Sequence, residues 1–419
     1  MDTFNFSQVV PGTQWSGSKP SEESYVVDKC VFGSGDFSRV YIVTSTRSKK
    51  KYAMKMMKRS EDNISEASIL LGLNEPRLRH PNHICRLYDI IAMEEYCNYG
   101  MIIEKGACSV FDSMHGPLHE RHVKRIINQL LLALDTLHAI GIVHADVKPE
   151  NVLYRPSTRF FAKTIHGKNH FELLNPVIML CDFNCSKYMP NFGSYAVEVF
   201  QTFHYRAPEV TLGQNLSASI DIFSTGAMMV EMLTGEVVFD MDEKDERDPS
   251  VPLRKKHMLL LEAEMGDCPQ ETLAASRFPE FHGALWRADA PRIHDGQSVY
   301  REWRRTKEEN RNPSDRQLLA VLDSMLTWPT RRVAAEALTR MVYFRQMVVD
   351  HPRSHYYAGF EEIDPVQLLT DPVLPEHHPI SEGEDGIYQT EEEGGRMVEL
   401  QQQYQGDSQS EDSQIEVAD

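Results

Sequence analysis

The stretch His144-Ala145-Asp146-Val147-Lys148-Pro149-Glu150-Asn151 puts an acid, a cation and an amide on one short segment. Side chains so spaced can orient a hydroxyl, neutralise a transferring phosphoryl group and hold a metal. Further on, Leu180-Cys181-Asp182-Phe183-Asn184 supplies a second carboxylate directly after an apolar run. Upstream, Phe32-Gly33-Ser34-Gly35-Asp36-Phe37-Ser38-Arg39-Val40 reads as a glycine turn between strands, whose backbone amides can approach phosphate oxygens that a side chain would block. By itself that turn is equally an ordinary hairpin. Ala53-Met54-Lys55 then places a lysine within reach of phosphates, with a small residue able to roof a flat base. Glu66 can pair with Lys55, although each residue alone reads as a solvated surface charge. Tyr205-Arg206-Ala207-Pro208-Glu209 and Asp221-Ile222-Phe223-Ser224-Thr225-Gly226 follow in order.

These residues need elements to hold them. Alternation from Val31 to Val43, broken by Gly33 and Gly35, predicts a hairpin, and Tyr52 to Met57 a third strand. Ser65 to Leu73 changes period: Ile69, Leu70 and Leu73 share one helical face, with Glu66 one turn earlier on the same side. Val123, Ile126, Ile127, Leu130, Leu134 and Leu137 keep helical spacing, and Gly141 stands where a C-terminal cap belongs. Ile220 to Leu233 is apolar on nearly every face, the pattern of a helix inside a large domain, and Gly235 ends it. Residues 241–256 are charged and are expected to form a surface loop. No internal repeat is found.

At 419 residues, with 41% hydrophobic and 25% charged residues, the chain has an ordinary globular composition and length for more than one unit. It contains no apolar run long enough to span a membrane and no basic-then-apolar start. Seven cysteines without a CxxC pair suggest neither a disulfide framework nor a structural zinc. An intracellular location, nuclear or cytoplasmic, is expected. Residues 361–419 hold 17 acidic residues against one basic, Arg396, so nearly all of the net charge of −18 lies there. The body is close to neutral. The segment 360–419 is expected to be a disordered acidic tail and residues 1–24 a flexible leader. The tail is read first as a solvating extension, with a basic partner or the substrate groove as its sharper use. Lys49-Lys50-Lys51 fits a hairpin-turn charge cluster better than a nuclear signal.

Taken together and in order, these motifs resemble those of a eukaryotic protein kinase, over Tyr25 to Phe344. The resemblance implies a two-lobed α+β fold: a small β-rich lobe with one main helix (25–103) and a larger, mainly helical lobe (104–350) with a family insertion near 240–310. It implies ATP and Mg2+ as cofactors. Phe32 to Val40 would cover the phosphates, and Ala53, Val40, Leu153 and Ile103 to Gly106, Glu104 included, would line the adenine pocket with Ile103 as gatekeeper. Lys55 would contact phosphates and pair with Glu66. Asp146 would accept the proton of the substrate hydroxyl, Lys148 would neutralise the γ-phosphate, and Asn151 and Asp182 would hold the metal. Glu209 and Arg332 would tie the activation segment to the large lobe, and Asp221 would brace the catalytic loop through backbone amides.

Lys148-Pro149-Glu150 is similar to the serine/threonine-directed form of that loop. Gln201 to Glu209 resembles the segment ending of the CMGC group. Leu174-Asn175-Pro176-Val177-Ile178, after a polar insertion, and His257 to Gly266 resemble the LAMMER-type (cdc-like) branch, with most of the eponymous letters replaced. SR-protein kinases and dual-specificity tyrosine-regulated kinases come next, and Val199 stands where the latter carry a tyrosine. Asp112 and Glu150 sit where related kinases read basic residues, so protein substrates that are basic or Arg/Ser-rich are expected, with dual specificity as a variant. Direct nucleic-acid binding and membrane association are not expected. Ala145, Asn184 and Phe203 depart from the family pattern. Asn tolerates positive φ best after glycine, so Asn184 is expected to keep Asp182 aimed. The competing readings are a pseudokinase scaffold that binds nucleotide and, less favoured, a small-molecule phosphotransferase. Phosphorylation of Ser186, Ser194, Tyr195 or Thr202 is left open.

Overall fold

The computed structural model describes residues 12–17, 23–35, 38–58, 61–74, 83–93, 98–165, 168–189, 201–241, 251–283, 286–287, 298–310, 312–345 and 361–365. Among these, a six-stranded sheet in the order β1-β2-β3-β4-β6-β5 forms the N-terminal half. It comprises β1 Gln14–Ser16, β2 Ser24–Gly35, β3 Ser38–Ser45, β4 Lys51–Lys58, β5 Leu87–Met93 and β6 Asn98–Ile103. Every pairing is antiparallel. Side chains alternate across the sheet. Met54 and Met56 therefore join Tyr25, Val27, Tyr41, Val43, Ile91 and Ile102 in one buried cluster, while Met57 packs into the main core. Lys55 takes the Met57 side, toward helix α1 (Glu61–Leu73).

Helix α1 places Ala67, Ile69, Leu70 and Leu73 in the main core, with Glu66 buried beside them. The C-terminal half is built on α2 (Glu120–Ala139), α3 (Pro208–Thr211), α4 (Ser219–Thr234), α5 (Leu253–Met265), α6 (Gln270–Ala274), and the helices Val299–Glu309 and Pro313–Met325. Helix α2 ends at Ile140, and Gly141 takes the left-handed φ of 80° that a side chain would resist. Helix α4 is buried from Ile220 to Met232 and is closed by Gly235 at φ 80°. Between α2 and α3 lie the short strands β7 (Ile142–Val143), β8 (Val152–Tyr154), β11 (Ile178–Leu180) and β12 (Lys187–Tyr188), pairing β8 with β11 and β7 with β12. These pairs carry the catalytic segment between them.

Three sequence expectations are corrected. The leader is not wholly unstructured: Gln14–Ser16 adds to β2, with Gly17 so close to buried Asp89 that a Cβ would clash. The acidic segment begins with a strand, β13 (Glu361–Ile363), on the edge of β9 (Arg159–Ile165), where Arg159 grips Glu362 through two hydrogen bonds of 2.6 Å. Three-residue strands carry no periodicity, and partner edges alone specify them. The expected loop at 241–256 gives up residues 253–256 to α5, whose first turn is charged although Lys256 is buried. Residues 242–250 lie outside the described residues, as do 1–11, 18–22 and 366–419. The polar insertion before Leu174 is the hairpin of β9 with β10 (Lys168–Leu174).

Candidate active site

Lys55 donates to both carboxylate oxygens of Glu66, at 3.0 and 2.9 Å, and to Asp182 Oδ1 at 2.8 Å. Three chain segments thus meet on one ammonium. Burial alone would push the Lys55 pKa down, but Asp182 and Glu66 outweigh it and raise it above the ordinary value. Burial likewise pushes the Asp182 carboxyl up, and Lys55 more than reverses this. A buried pair of this kind says little about stability. Its consequence is register: Glu66 also accepts from the Phe183 N–H at 3.2 Å, so α1 and the Asp182 turn are held at one distance.

Asp146 is oriented from three sides. Asn151 spends both amide hydrogens on it, at 2.8 Å to the carbonyl and 2.9 Å to Oδ2. Lys148 Nζ lies 3.0 Å from Asp146 Oδ2. Thr202 donates its hydroxyl to Asp146 Oδ1 at 3.0 Å while accepting from Lys148 Nζ at 3.0 Å. Burial lowers the Lys148 pKa, and Asp146 more than compensates, so its net shift is upward. The carboxylate, the ammonium and a hydroxyl therefore form a closed ring on the segment joining the C-terminal end of β7 to the N-terminal end of β8.

The backbone beneath is strained where the chemistry is placed. Ala145, Asp182 and Gln201 have φ of 63°, 61° and 65°, a region that costs a residue with a Cβ about 1–2 kcal/mol. Hydrogen bonds hold each turn. Asp221, fully buried, accepts from the N–H groups of His144 and Ala145 at 2.9 and 2.8 Å and from His138 Nε2 at 2.9 Å. His144 Nε2 donates to the Cys181 carbonyl at 3.0 Å, leaving Nδ1 to accept from the Asp146 N–H at 3.3 Å. Gln201 bonds Ser224, the Ile220 carbonyl and the Ala207 N–H, and Arg206 donates twice to its carbonyl. Asn184 is not left-handed. The positive φ falls at Asp182 instead, so the expected role of Asn184 as a glycine substitute in backbone conformation is corrected.

Around the expected adenine pocket, Ala53 pairs in register with Ile103, and Val40 with Lys55. Ile103 and Leu153 pack on Cys85, Met179 and Cys181. Gly106 lies so near Leu153 that an added Cβ would sit 2.9 Å from its Cδ1. Glu104 is held by Arg155 at 3.3 Å and by its own N–H to the Arg86 carbonyl. The backbone of Phe32, Gly33, Ser34 and Gly35 belongs to β2, and Ser38, Arg39 and Val40 to β3, with Gly35 opposite Ser38. Asp36 and Phe37 lie outside the described residues, as do Ser194, Tyr195 and Val199.

Glu209 and Arg332 form a buried two-pronged pair at 2.5 and 3.1 Å. Asp112 is turned onto the N–H and hydroxyl of Ser109, both at 2.7 Å, while Glu150 is exposed. Ser186 is buried and donates to the His144 carbonyl. Phe203 lies under the Arg206 guanidinium, whose Cζ is 3.6 Å from the phenyl ring centroid. Sequence reasoning missed the part of Thr202, seen there only as a phosphorylation candidate. Its sole signal was proximity to Tyr205 to Glu209, which marks the segment and not the atom.

The protein kinase domain model matches residues 26–344. The chain belongs to the protein kinase family. Among its relatives are the dual specificity protein kinase lkh1 of Schizosaccharomyces pombe, 28% identical over 195 residues, and the human dual specificity protein kinase CLK1, 28% over 200 residues. The serine/threonine-protein kinase AFC1 of Arabidopsis thaliana is 26% identical over 251 residues. The matches cover 44%, 47% and 57% of this chain, and 26%, 36% and 51% of those proteins, so the chain spans about a quarter to a half of the curated relatives it matches. Dual specificity and serine/threonine-protein kinases thus stand side by side among these relatives. A crystal structure of a kinase domain superposes with a TM-score of 0.58 at 21% identity, covering 77% of this chain and 95% of the other, which supports the two-lobed kinase fold.

Proposed function

We propose that this kinase domain transfers the γ-phosphoryl group of magnesium ATP to serine or threonine hydroxyls of protein substrates. The observation that carries the reading is the ring of Asp146, Lys148 and Thr202. A carboxylate fixed by three neighbours can orient a substrate hydroxyl and accept its proton, while the adjacent ammonium stands ready for charge on the transferring group. Lys55, anchored by Glu66, offers a second cation for phosphate oxygens.

The residues present fit both cofactors. Asn151 has spent its Nδ2 hydrogens on Asp146, which leaves Oδ1 for a cation, and Asp182 adds a carboxylate. Among the described residues no three His, Cys, Asp or Glu side chains are grouped so as to hold a metal by themselves. Magnesium characteristically takes one or two protein carboxylates and completes its shell with phosphate and water oxygens, which suits so sparse a set. Bound magnesium supplies charge neutralisation to the phosphates. The close approach of Gly106 to Leu153 suits a flat base.

Basic or Arg/Ser-rich substrates, and dual specificity of the kind named for lkh1 and CLK1, belong to the same proposal, supported by exposed Glu150. Action inside the cell, in nucleus or cytoplasm, belongs to it as well. Among the described residues no helix is long and apolar enough to cross a membrane. Matched peptides carrying Ser, Thr or Tyr, each with Arg or Ala around the acceptor, test the reading. Labelling of Ser or Thr with preference for the Arg versions is expected; equal rates on Arg and Ala peptides contradict the basic preference, and labelling of none contradicts the activity.

A further inference from the structure

Asn184 is the one polar side chain of the Asp182 turn that the account above leaves unused. Its N–H donates to Asp182 Oδ1 at 3.4 Å, so it stands beside the carboxylate proposed to hold metal. Its side-chain Oδ1 is shut off from solvent and has no hydrogen-bond partner. A buried acceptor left unpaired costs about 1–3 kcal/mol, and such atoms usually mark a functional role or a missing partner.

The donors of the catalytic segments around Asp182 and Asp146 have other partners. Lys55 is spent on Glu66 and Asp182, the Phe183 N–H on Glu66, the Ser186 hydroxyl on the His144 carbonyl, and the Asn151 amide on Asp146. An unpaired oxygen on a residue bonded to a metal-binding carboxylate suits a cation. An amide carbonyl is a hard, neutral donor of the type that magnesium and manganese accept.

We propose that Asn184 Oδ1 is a further oxygen ligand of the divalent cation held by Asp182 and Asn151, bound directly or through a metal water, and so sets metal affinity in this chain. The inference rests on the kinase reading. Glycine at this position would offer no side-chain oxygen at all, so the departure from the family pattern adds to the site and does not erode it.

The test is binding of Mn2+ in the presence of the non-hydrolysable ATP analogue AMP-PNP, read from the free-Mn2+ electron paramagnetic resonance signal. Wild type, Asn184→Gly, Asn184→Asp and Asp182→Asn are compared, with AMP-PNP affinity also measured in the absence of metal. The expected result is an approximately tenfold loss of Mn2+ affinity in N184G, retention in N184D, near-complete loss in D182N, and unchanged metal-free nucleotide affinity in N184G. Equal Mn2+ affinity in wild type and N184G, with D182N impaired, overturns the proposal while the metal site of the kinase reading stands. Equal loss in N184G and N184D, or an N184G loss matched without metal, also overturns it. Failure of wild type to bind Mn2+ better than D182N sinks the underlying metal site itself.

Discussion

Replacing Thr202 with valine keeps the shape of the side chain and removes only the hydroxyl. That hydroxyl donates to Asp146 Oδ1 and accepts from Lys148 Nζ, each at 3.0 Å. Hydrogen bonds to charged groups are worth about 1.5–3 kcal/mol each. Asp146 keeps Asn151 and Lys148 as partners, so we expect about 1.4–2.8 kcal/mol to be lost in the transition state. This corresponds to a fall of about 10- to 100-fold in kcat, since 1.36 kcal/mol is tenfold. Thr202→Ser restores the hydroxyl and should recover most of the rate. Because Thr202 is only partly buried, the melting temperature of both variants should stay near that of wild type. Steady-state phosphorylation of a basic Ser peptide measures the effect. Activity of T202V within twofold of wild type, or a T202S loss as deep as that of T202V, would refute the ring as the orienting device.

Two further expectations concern stability. Glu209→Leu leaves the buried Arg332 guanidinium with the Ser219 and Thr327 carbonyls but no counter-charge, and should destabilise the domain by about 3–5 kcal/mol; the double variant Glu209→Leu with Arg332→Met should lose less than Glu209→Leu and Arg332→Met singly combined, and additivity in urea unfolding would contradict a coupled pair. Burial raises the Glu231 carboxyl from its ordinary 4.5 to about 7, with the Tyr205 hydroxyl donating at 2.7 Å as the opposing influence. A folded-state value above the unfolded one means that the stabilisation is present below pH 4.5 and is lost as pH rises through 7. The stability of wild type relative to Glu231→Gln should therefore fall by about 2–3 kcal/mol between pH 5 and pH 8, and a constant difference would show that Glu231 does not titrate in this window.

The sequence made the catalytic elements legible because their signals are local. Helix α2 is announced by six apolar residues at helical spacing and closed by Gly141, and α4 by an apolar stretch ended by Gly235. Lys55, Glu66 and Asp182 meet as their motif positions imply, and Asp221 reaches the amides of His144 and Ala145. What stayed hidden depends on distant partners. β1 and β13 exist only because the edges of β2 and β9 accept them. Thr202 acquires its place only when the segment 201–207 folds back through Gln201 onto α4. Asn184 misled because glycine in a motif suggests a left-handed backbone, whereas the strain sits at Asp182 and is held by contacts from α1 and β4.

The most direct test of the central claim is transfer of labelled phosphate from ATP and Mg2+ to a basic Ser/Thr protein, with Asp146→Asn alongside. Asn151 and Thr202 can still hydrogen-bond an amide at that position, so the variant should fold and bind nucleotide as wild type does. Label transfer by wild type and loss of about 100-fold or more in D146N, in line with removal of a positioned general base, is the result the account predicts. Nucleotide-dependent thermal stabilisation of both proteins without transfer by either would contradict it and identify the chain as a nucleotide-binding scaffold.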